Sequence, residues 1–376
     1  MRQYLFAISR QFTRDAELNE LYASLAIRHF CLALISTFVP LYFIKVGFSL
    51  QQIFIYYAIV VSTQLIGIPV AAKFASRYGF KHSMMISSPL TVMFFVILYS
   101  INDVNWLLVS VAGVFCGLGN IFFRMGMHLN TAKNSHGSKR GTEIGTIKIV
   151  ESIFKAVAPL IGGLILAFLN YQTLFLVVCV CLIASSIPLF LSKDYHEPIH
   201  FDMLKSLKNH KIHHTMSFLA SGVEYDANSV VWPIAIFYIL GGSYEKIGWL
   251  ASTSLLIGVV VLFITGKWVN KNRKLVMKIT SFGLVITWLF RSVTQSGIQL
   301  FALESVYNSL ENGYYVAGDA TIYDRSEVQG LMKYIFYYQV MLNLGRLIFF
   351  ILLICIPHYE FGLLLGVIGS LVMNFA

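Results

Sequence analysis

The chain has 376 residues, of which 57% are hydrophobic and 12% charged, far from the roughly 25% charged residues of an average soluble domain. A soluble globular chain is excluded, and the lipid bilayer is the solvent. The formal charge of +10 would suggest a nucleic-acid partner in a soluble protein. Here the basic residues are spread over loops, where topology and anionic lipid headgroups explain them better, and no nucleic acid is expected.

Residues 1–20 read as a charged N-terminal segment that includes Arg14-Asp15-Ala16-Glu17. The first apolar run begins near Leu21 and has no small-residue cleavage site, so it reads as a retained span and not as a signal peptide. A hydrocarbon core needs about 20 apolar residues of helix. On that ruler twelve spans follow, at about 21–44, 50–71, 83–100, 105–128, 143–168, 172–191, 215–240, 244–265, 275–295, 298–318, 332–356 and 358–375. Short turns such as Val46-Gly47-Phe48-Ser49 and Gly241-Gly242-Ser243 join neighbours. The longest hydrophilic link, Ser192 to His214, falls near mid-chain. The expected organisation is an all-α polytopic membrane protein: an N-terminal segment at 1–20, a six-helix bundle at 21–191, a central loop at 192–214 and a second six-helix bundle at 215–376.

Orientation comes from the gaps between spans. Twenty of the 28 Lys and Arg residues occupy alternate gaps, from Arg2, Arg10 and Arg14 through Lys73, Arg77 and Lys81 to Arg325 and Lys333. The other gaps hold only Lys45 and Lys246. Short loops rich in Lys and Arg stay on the cytoplasmic side, so both termini and the central loop are expected there. Cys31, Cys116, Cys179, Cys181 and Cys355 all lie within apolar runs, where a thiol behaves as a small hydrophobe. They imply neither a disulfide framework nor a zinc site.

A charged side chain at mid-bilayer costs about 2.5–3.5 kcal/mol on insertion scales and needs a partner. Span 1 carries Arg28-His29, and span 7 carries Glu224-Tyr225-Asp226 at a similar depth. Arg28 paired with Glu224 or Asp226 across a cavity would offset that cost, either as a static ion pair or as a functional one. Two residues apart on a helix means about 200°, so at most one of the two acids faces a given centre. His29 is a titratable group or a packing residue. Span 5 places Lys148, Glu151 and Lys155 on one stripe, which neutralises the acid and leaves a surplus cation able to attract an anionic solute. Span 10 carries Glu304 and Glu311 seven residues apart and hence nearly on one face. Arg291 of span 9 and Arg346 of span 11 are their available partners; unpaired, they would be protonatable. Arg124 is expected to snorkel to headgroups. The central histidines His196, His200, His210, His213 and His214 have no fixed ligand spacing, so a linker is expected there and no metal.

Between spans 2 and 3 stands Ala72-Lys73-Phe74-Ala75-Ser76-Arg77-Tyr78-Gly79-Phe80-Lys81, and at the equivalent place in the second half stands Gly266-Lys267-Trp268-Val269-Asn270-Lys271-Asn272-Arg273-Lys274. The first resembles the loop signature Gly-x-Leu-Ala-Asp-Arg-x-Gly-Arg-Lys of the major facilitator superfamily, matching it at Arg77, Gly79 and Lys81. Ala158-Pro159-Leu160-Ile161-Gly162-Gly163 on span 5 is similar to the Gly-Pro-x-x-Gly-Gly element of the family's antiporters, with Pro159, Gly162 and Gly163 matching. Cys116-Gly117-Leu118-Gly119 on span 4 is a weaker likeness. The resemblance covers essentially the whole chain. It implies two bundles that rock about a central cavity, Arg77, Gly79, Lys81, Gly266, Arg273 and Lys274 as gating-loop residues, and a monomer. Two departures matter. Ser76 replaces the loop motif's Asp, so the charge pairing at the inner gate is weaker or comes from another residue. Gly113 replaces an Arg of span 4 that is tied to proton handling in the antiporters.

No Gly-x-Ser-x-Gly, His-Glu-x-x-His or Gly-x-x-x-x-Gly-Lys-Ser/Thr element occurs, so neither an intramembrane enzyme nor an ATP-driven pump is expected, and no cofactor. The expected function is secondary active transport of a small solute by alternating access, with a proton or ion as coupling partner, in a cell membrane such as a bacterial inner membrane. The alternative is a transporter-derived sensor or scaffold that binds without flux. Candidate substrate-binding or coupling residues are Arg28, His29, Lys148, Glu151, Lys155, Glu224, Asp226, Glu304, Glu311 and Arg346.

Overall fold

The structure is a computed structural model that describes residues 16–135, 140–190, 194, 202–208 and 210–374, with backbone alone at 16–22, 140–142, 147, 204 and 262–271. Every regular element among them is helical. Span 1 is α1 (Ala16–Ala33), a 3-10 turn and α2 (Val39–Val46); spans 2 to 6 are α3 (Leu50–Tyr78), α4 (Phe80–Tyr99), α5 (Trp106–Asn134), α6 (Arg140–Phe168) and α7 (Tyr171–Ser186). A single turn, α8 (Met203–Ser206), lies in the central link. Span 7 is α9 (Ile212–Asp226), a π turn and α10 (Trp232–Ile239); spans 8 to 12 are α11 (Tyr244–Lys271), α12 (Arg273–Arg291), α13 (Gly297–Gln329), α14 (Leu331–Cys355) and α15 (Tyr359–Met373).

The connections are short because the sequence caps the helices locally. Ser49 and Gln52 form a reciprocal capping box at the start of α3, and Asn105, Asn170, Asn272 and Ser296 each accept an orphan N–H at the start of α5, α7, α12 and α13. Two spans are broken where the sequence ruler expects one helix. Pro40 at the start of α2 and Pro233 at the start of α10 each lack an N–H and crowd the preceding turn. The chain answers with a 3-10 turn at Ser36–Phe38 and a π turn at Ala227–Val231.

Eight helical stretches among the described residues are long and apolar enough to cross a membrane by composition alone. Spans 7, 9, 10 and 12 are not among them: α15 is the shorter apolar helix of span 12, and in the other three charged residues lower the hydropathy and build much of the site below. Span 10 also runs well past the expected end at 318, to Gln329.

Two long helix pairs join the halves: α6 lies along α11, and α3 lies along α14. Small residues permit both the α6–α11 approach and the seating of α6 on span 1. A Cβ on Gly162 would stand 1.9 Å from the Leu34 carbonyl oxygen, and one on Gly163 would stand 2.7 Å from that of Tyr244. The Ala158–Gly163 element thus works as close packing, where no hydrophobic effect drives helices together. The halves touch near both ends of the helices. At the end without basic loops, Tyr244 meets Phe38 and Tyr171, and Gln51 donates to the Ile354 carbonyl. Toward the basic end, His128 Nδ1 and the Tyr323 hydroxyl are 2.8 Å apart.

Candidate functional site

Three polar clusters occupy the interior of this bundle. The first is built on Glu151, buried on α6. Lys148 Nζ and Lys155 Nζ stand 3.3 Å and 3.7 Å from its Oε2, and His29 Nε2 from α1 stands 3.1 Å from its Oε1. The stripe expected from the sequence forms, and α1 adds a third basic group to it. Asp319 and Glu311 of α13 lie across the boundary between the halves, where the charge of Lys148 acts on both and that of Lys155 on Glu311. Lys148, Lys155 and Glu311 are only half-buried, although each sits among charges from both halves. They therefore line an internal space and do not pack into a closed core.

Arg124 belongs to the same region. It does not reach for headgroups as expected; its guanidinium lies 4.8 Å over the ring of Tyr225 on α9, and its charge acts on Asp319 and His128. An aromatic face inside the protein competes successfully with the interface for this cation.

The second cluster joins the halves through Arg346 of α14. Its Nε donates to Asp226 Oδ2 at 2.8 Å and its Nη2 to Asp226 Oδ1 at 3.1 Å, while Nη1 donates to Gln64 Oε1 of α3 at 2.8 Å and to Asn343 Oδ1 at 3.1 Å. This is a bidentate, buried ion pair with one bond reaching into the first half. Arg346 therefore serves Asp226 and neither Glu304 nor Glu311.

The third cluster lies within the second half. Arg291 donates to Glu304 Oε2 at 2.5 Å and to Asn228 Oδ1 at 2.9 Å, and Trp232 Nε1 donates to the same Glu304 oxygen. The rings of Trp232, Trp288 and Tyr307 surround the guanidinium at 4.3, 4.9 and 3.8 Å. Glu224 accepts from Trp288 Nε1 at 3.2 Å and from the Tyr307 hydroxyl. Glu304 is paired with Arg291, one of its two expected partners, which leaves Glu311 as the carboxylate facing the internal space.

The expected pairing of Arg28 with Glu224 or Asp226 does not form. Arg28 is buried within its own half, donating to Ser88 Oγ and Thr91 Oγ1 at 3.3 Å each and lying 4.1 Å over Phe123. Hydroxyls and a ring on α4 and α5 satisfy it, while the two acids find donors in their own half. Glu224 and Asp226 do point to different neighbours, α12 and α13 for one and α14 for the other, as their 200° separation requires.

In the loop between α3 and α4, Gly79 has φ +115°, and a Cβ there would fall 2.1 Å from a carboxylate oxygen of Asp194. That carboxylate caps α4, accepting from Lys81 N at 3.0 Å and His82 N at 2.8 Å, with His82 Nδ1 at 2.6 Å. The acid missing at Ser76 is thus matched by another one, supplied from the link after α7. Arg77 lies over the Tyr78 ring at 5.4 Å. In the second half Arg273 at the start of α12 pairs with Asp324 near the end of α13. Lys274 is exposed, and Gly266 lies in the stretch where only the backbone is described. His196 and His200 lie outside the described residues; His210 stacks on Tyr337 at 3.5 Å. Replacing Gly79 by Leu is expected to unseat Asp194 and slow solute flux while substrate affinity stays close to wild type; unchanged flux in that variant would remove the loop from the gate.

Asp319, His128, Gln64 and Asp194 are missed by sequence reasoning. Asp319 carries a signal: Glu304, Asn308, Glu311, Tyr315 and Asp319 continue one helical stripe at spacings of four, three, four and four.

Helices paired across two halves, with buried charges at their boundary, define a polytopic membrane transporter fold. Residues 21–213 match the sequence profile of the Major Facilitator Superfamily, and the chain belongs to that superfamily of transporters, which are not enzymes. No curated protein matches it in sequence. Solved structures similar to it include the human organic anion transporter MFSD10 (TETRAN), with a TM-score of 0.64, 11% identity, and coverage of 94% of this chain and 99% of that one. A bacterial homologue of the iron transporter ferroportin in its outward-facing state is also similar, with a TM-score of 0.69, 13% identity, and coverage of 96% and 98%. At these identities the likeness is one of fold.

Proposed function

We propose that the chain is a secondary active transporter that moves a small anionic solute by alternating access, with a proton as the coupling ion. Glu151 carries the reading, held by His29, Lys148 and Lys155 on one half and facing Glu311 and Asp319 on the other. With Arg124 beside the two lysines, the first half presents more positive charge than Glu151 can neutralise, and a carboxylate or phosphate ester entering the space would take up the surplus. Glu311 and Asp319 then act as proton sites. A solute that changes their company changes their readiness to protonate, and so biases the facing of the two halves. One of the structures of similar fold is an organic anion transporter, which agrees with this choice of solute. The domains at 21–191 and 215–376 are the rocking units. The basic ends of the helices face the cytoplasm, and the setting is a cell membrane.

Purified protein in sealed vesicles provides the test. A panel of small carboxylates and phosphate esters is expected to yield at least one that accumulates when a pH gradient is imposed and stops accumulating when the gradient is collapsed. A ligand that stabilises the protein but never crosses would mean a sensor and not a transporter.

A further inference from the structure

A cavity of about 710 Å³ lies at the basic end of the second half, between α9, α12, α13, α14 and α15. Its lining is graded along the helices. On α12 the residues Lys274, Met277, Lys278 and Ser281 recur at i, i+3, i+4 and i+7, so one face of that helix turns into the cavity. Lys274, Lys278 and Arg325 stand at the rim, whereas Phe218, Met277, Tyr315 and Met373 line it further along. Among the described lining residues the acids are Asp319 and Asp324. Asp324 is paired with Arg273, and Asp319 answers to Lys148 and Arg124, so neither neutralises the rim. His214 also lines the cavity, beside Arg325. The Ser281 hydroxyl donates to Asn374 Oδ1 at 2.8 Å, which ties α12 to α15 along the outer wall.

We infer that this cavity binds the phosphate of an anionic phospholipid, seated on Lys274, Lys278 and Arg325, with the upper part of one acyl chain against the aromatic and methionine surface. Cations sit at the end where headgroups lie and apolar side chains sit deeper, which is the order of groups in such a lipid and not that of a compact polar solute. The cavity touches the proposed transport site at Asp319 alone, whereas the phosphate seat of Lys274, Lys278 and Arg325 uses no residue of the Glu151 cluster, so lipid binding is read without any measurement of flux.

The experiment follows apparent melting temperature of the full-length protein in neutral detergent, titrated with phosphatidylglycerol, phosphatidylcholine or inorganic phosphate. A basic residue near an anionic lipid surface is worth about fivefold in affinity, so K274Q/K278Q is expected to need about thirtyfold more phosphatidylglycerol for the same shift. Both lysines are exposed, so the fold should tolerate the change. Gly318→Leu fills the interior from a position where a Cβ meets nothing within 4 Å, and should abolish the phosphatidylglycerol shift with the rim cations intact. Phosphatidylcholine should act equally on all three proteins. Equal response of wild type and both variants to phosphatidylglycerol overturns the site, and an equal shift from inorganic phosphate alone overturns the lipid as its occupant.

Discussion

Asp226→Asn is expected to destabilise the protein by about 3–5 kcal/mol, because removing one partner of a buried ion pair strands the other. Asp226 and Arg346 are 1% and 5% exposed, and Asp226 supplies both acceptors on the carboxylate side of the guanidinium. Gln64 and Asn343 would remain as neutral acceptors, which places the loss toward the lower end of that range. Thermal unfolding in detergent measures it. A double variant with Asp226→Leu and Arg346→Met should recover most of the loss, since apolar replacement of a whole buried pair is often neutral. A single variant as stable as wild type would mean that water or lipid already reaches the pair.

Gly345→Ala should be comparably damaging for a steric reason. A Cβ there would stand 1.9 Å from the Leu219 carbonyl oxygen, and on the facing helix a Cβ on Gly222 would stand 2.2 Å from the Leu342 carbonyl oxygen. Both neighbours are backbone and cannot rotate away, so α9 and α14 must separate. Overpacking of this kind costs about 1–3 kcal/mol, and here it also stretches the Asp226–Arg346 pair that links the same two helices. Gly318→Ala is the control: in open space it gains helix propensity worth about 1 kcal/mol and should raise the melting temperature. Equal effects at 345 and 318 would show that the crossing is not the constraint.

Much of this architecture is written in local pattern. Alternating basic gaps and apolar lengths give the spans, and the spacing of Lys148, Glu151 and Lys155 gives a cluster that forms as read. Depth along a helix is legible in the same way, but direction around it is not. Arg28 and Glu224 sit at matching depths and still turn to different neighbours, because which hydroxyls and rings surround an arginine is decided by tertiary packing. Asp319 was hidden by the ruler itself. A span of about 20 residues ends at 318, whereas α13 is 33 residues long in all, reaching Gln329, and carries the acid into the interior. Asp194 lies in the link, where no helical period marks a residue that will return to cap α4.

A proton taken up at the boundary between the halves is proposed to drive solute movement, and Glu311 is the carboxylate placed to take it, left without Arg291 and Arg346 by the pairings of Glu304 and Asp226. Its direct test is Glu311→Gln in sealed vesicles, with the same solute followed under exchange and under an imposed pH gradient. Exchange is expected to continue near the wild-type rate while accumulation against the solute's own gradient is lost. Accumulation at the wild-type level, with the same dependence on pH, would contradict it.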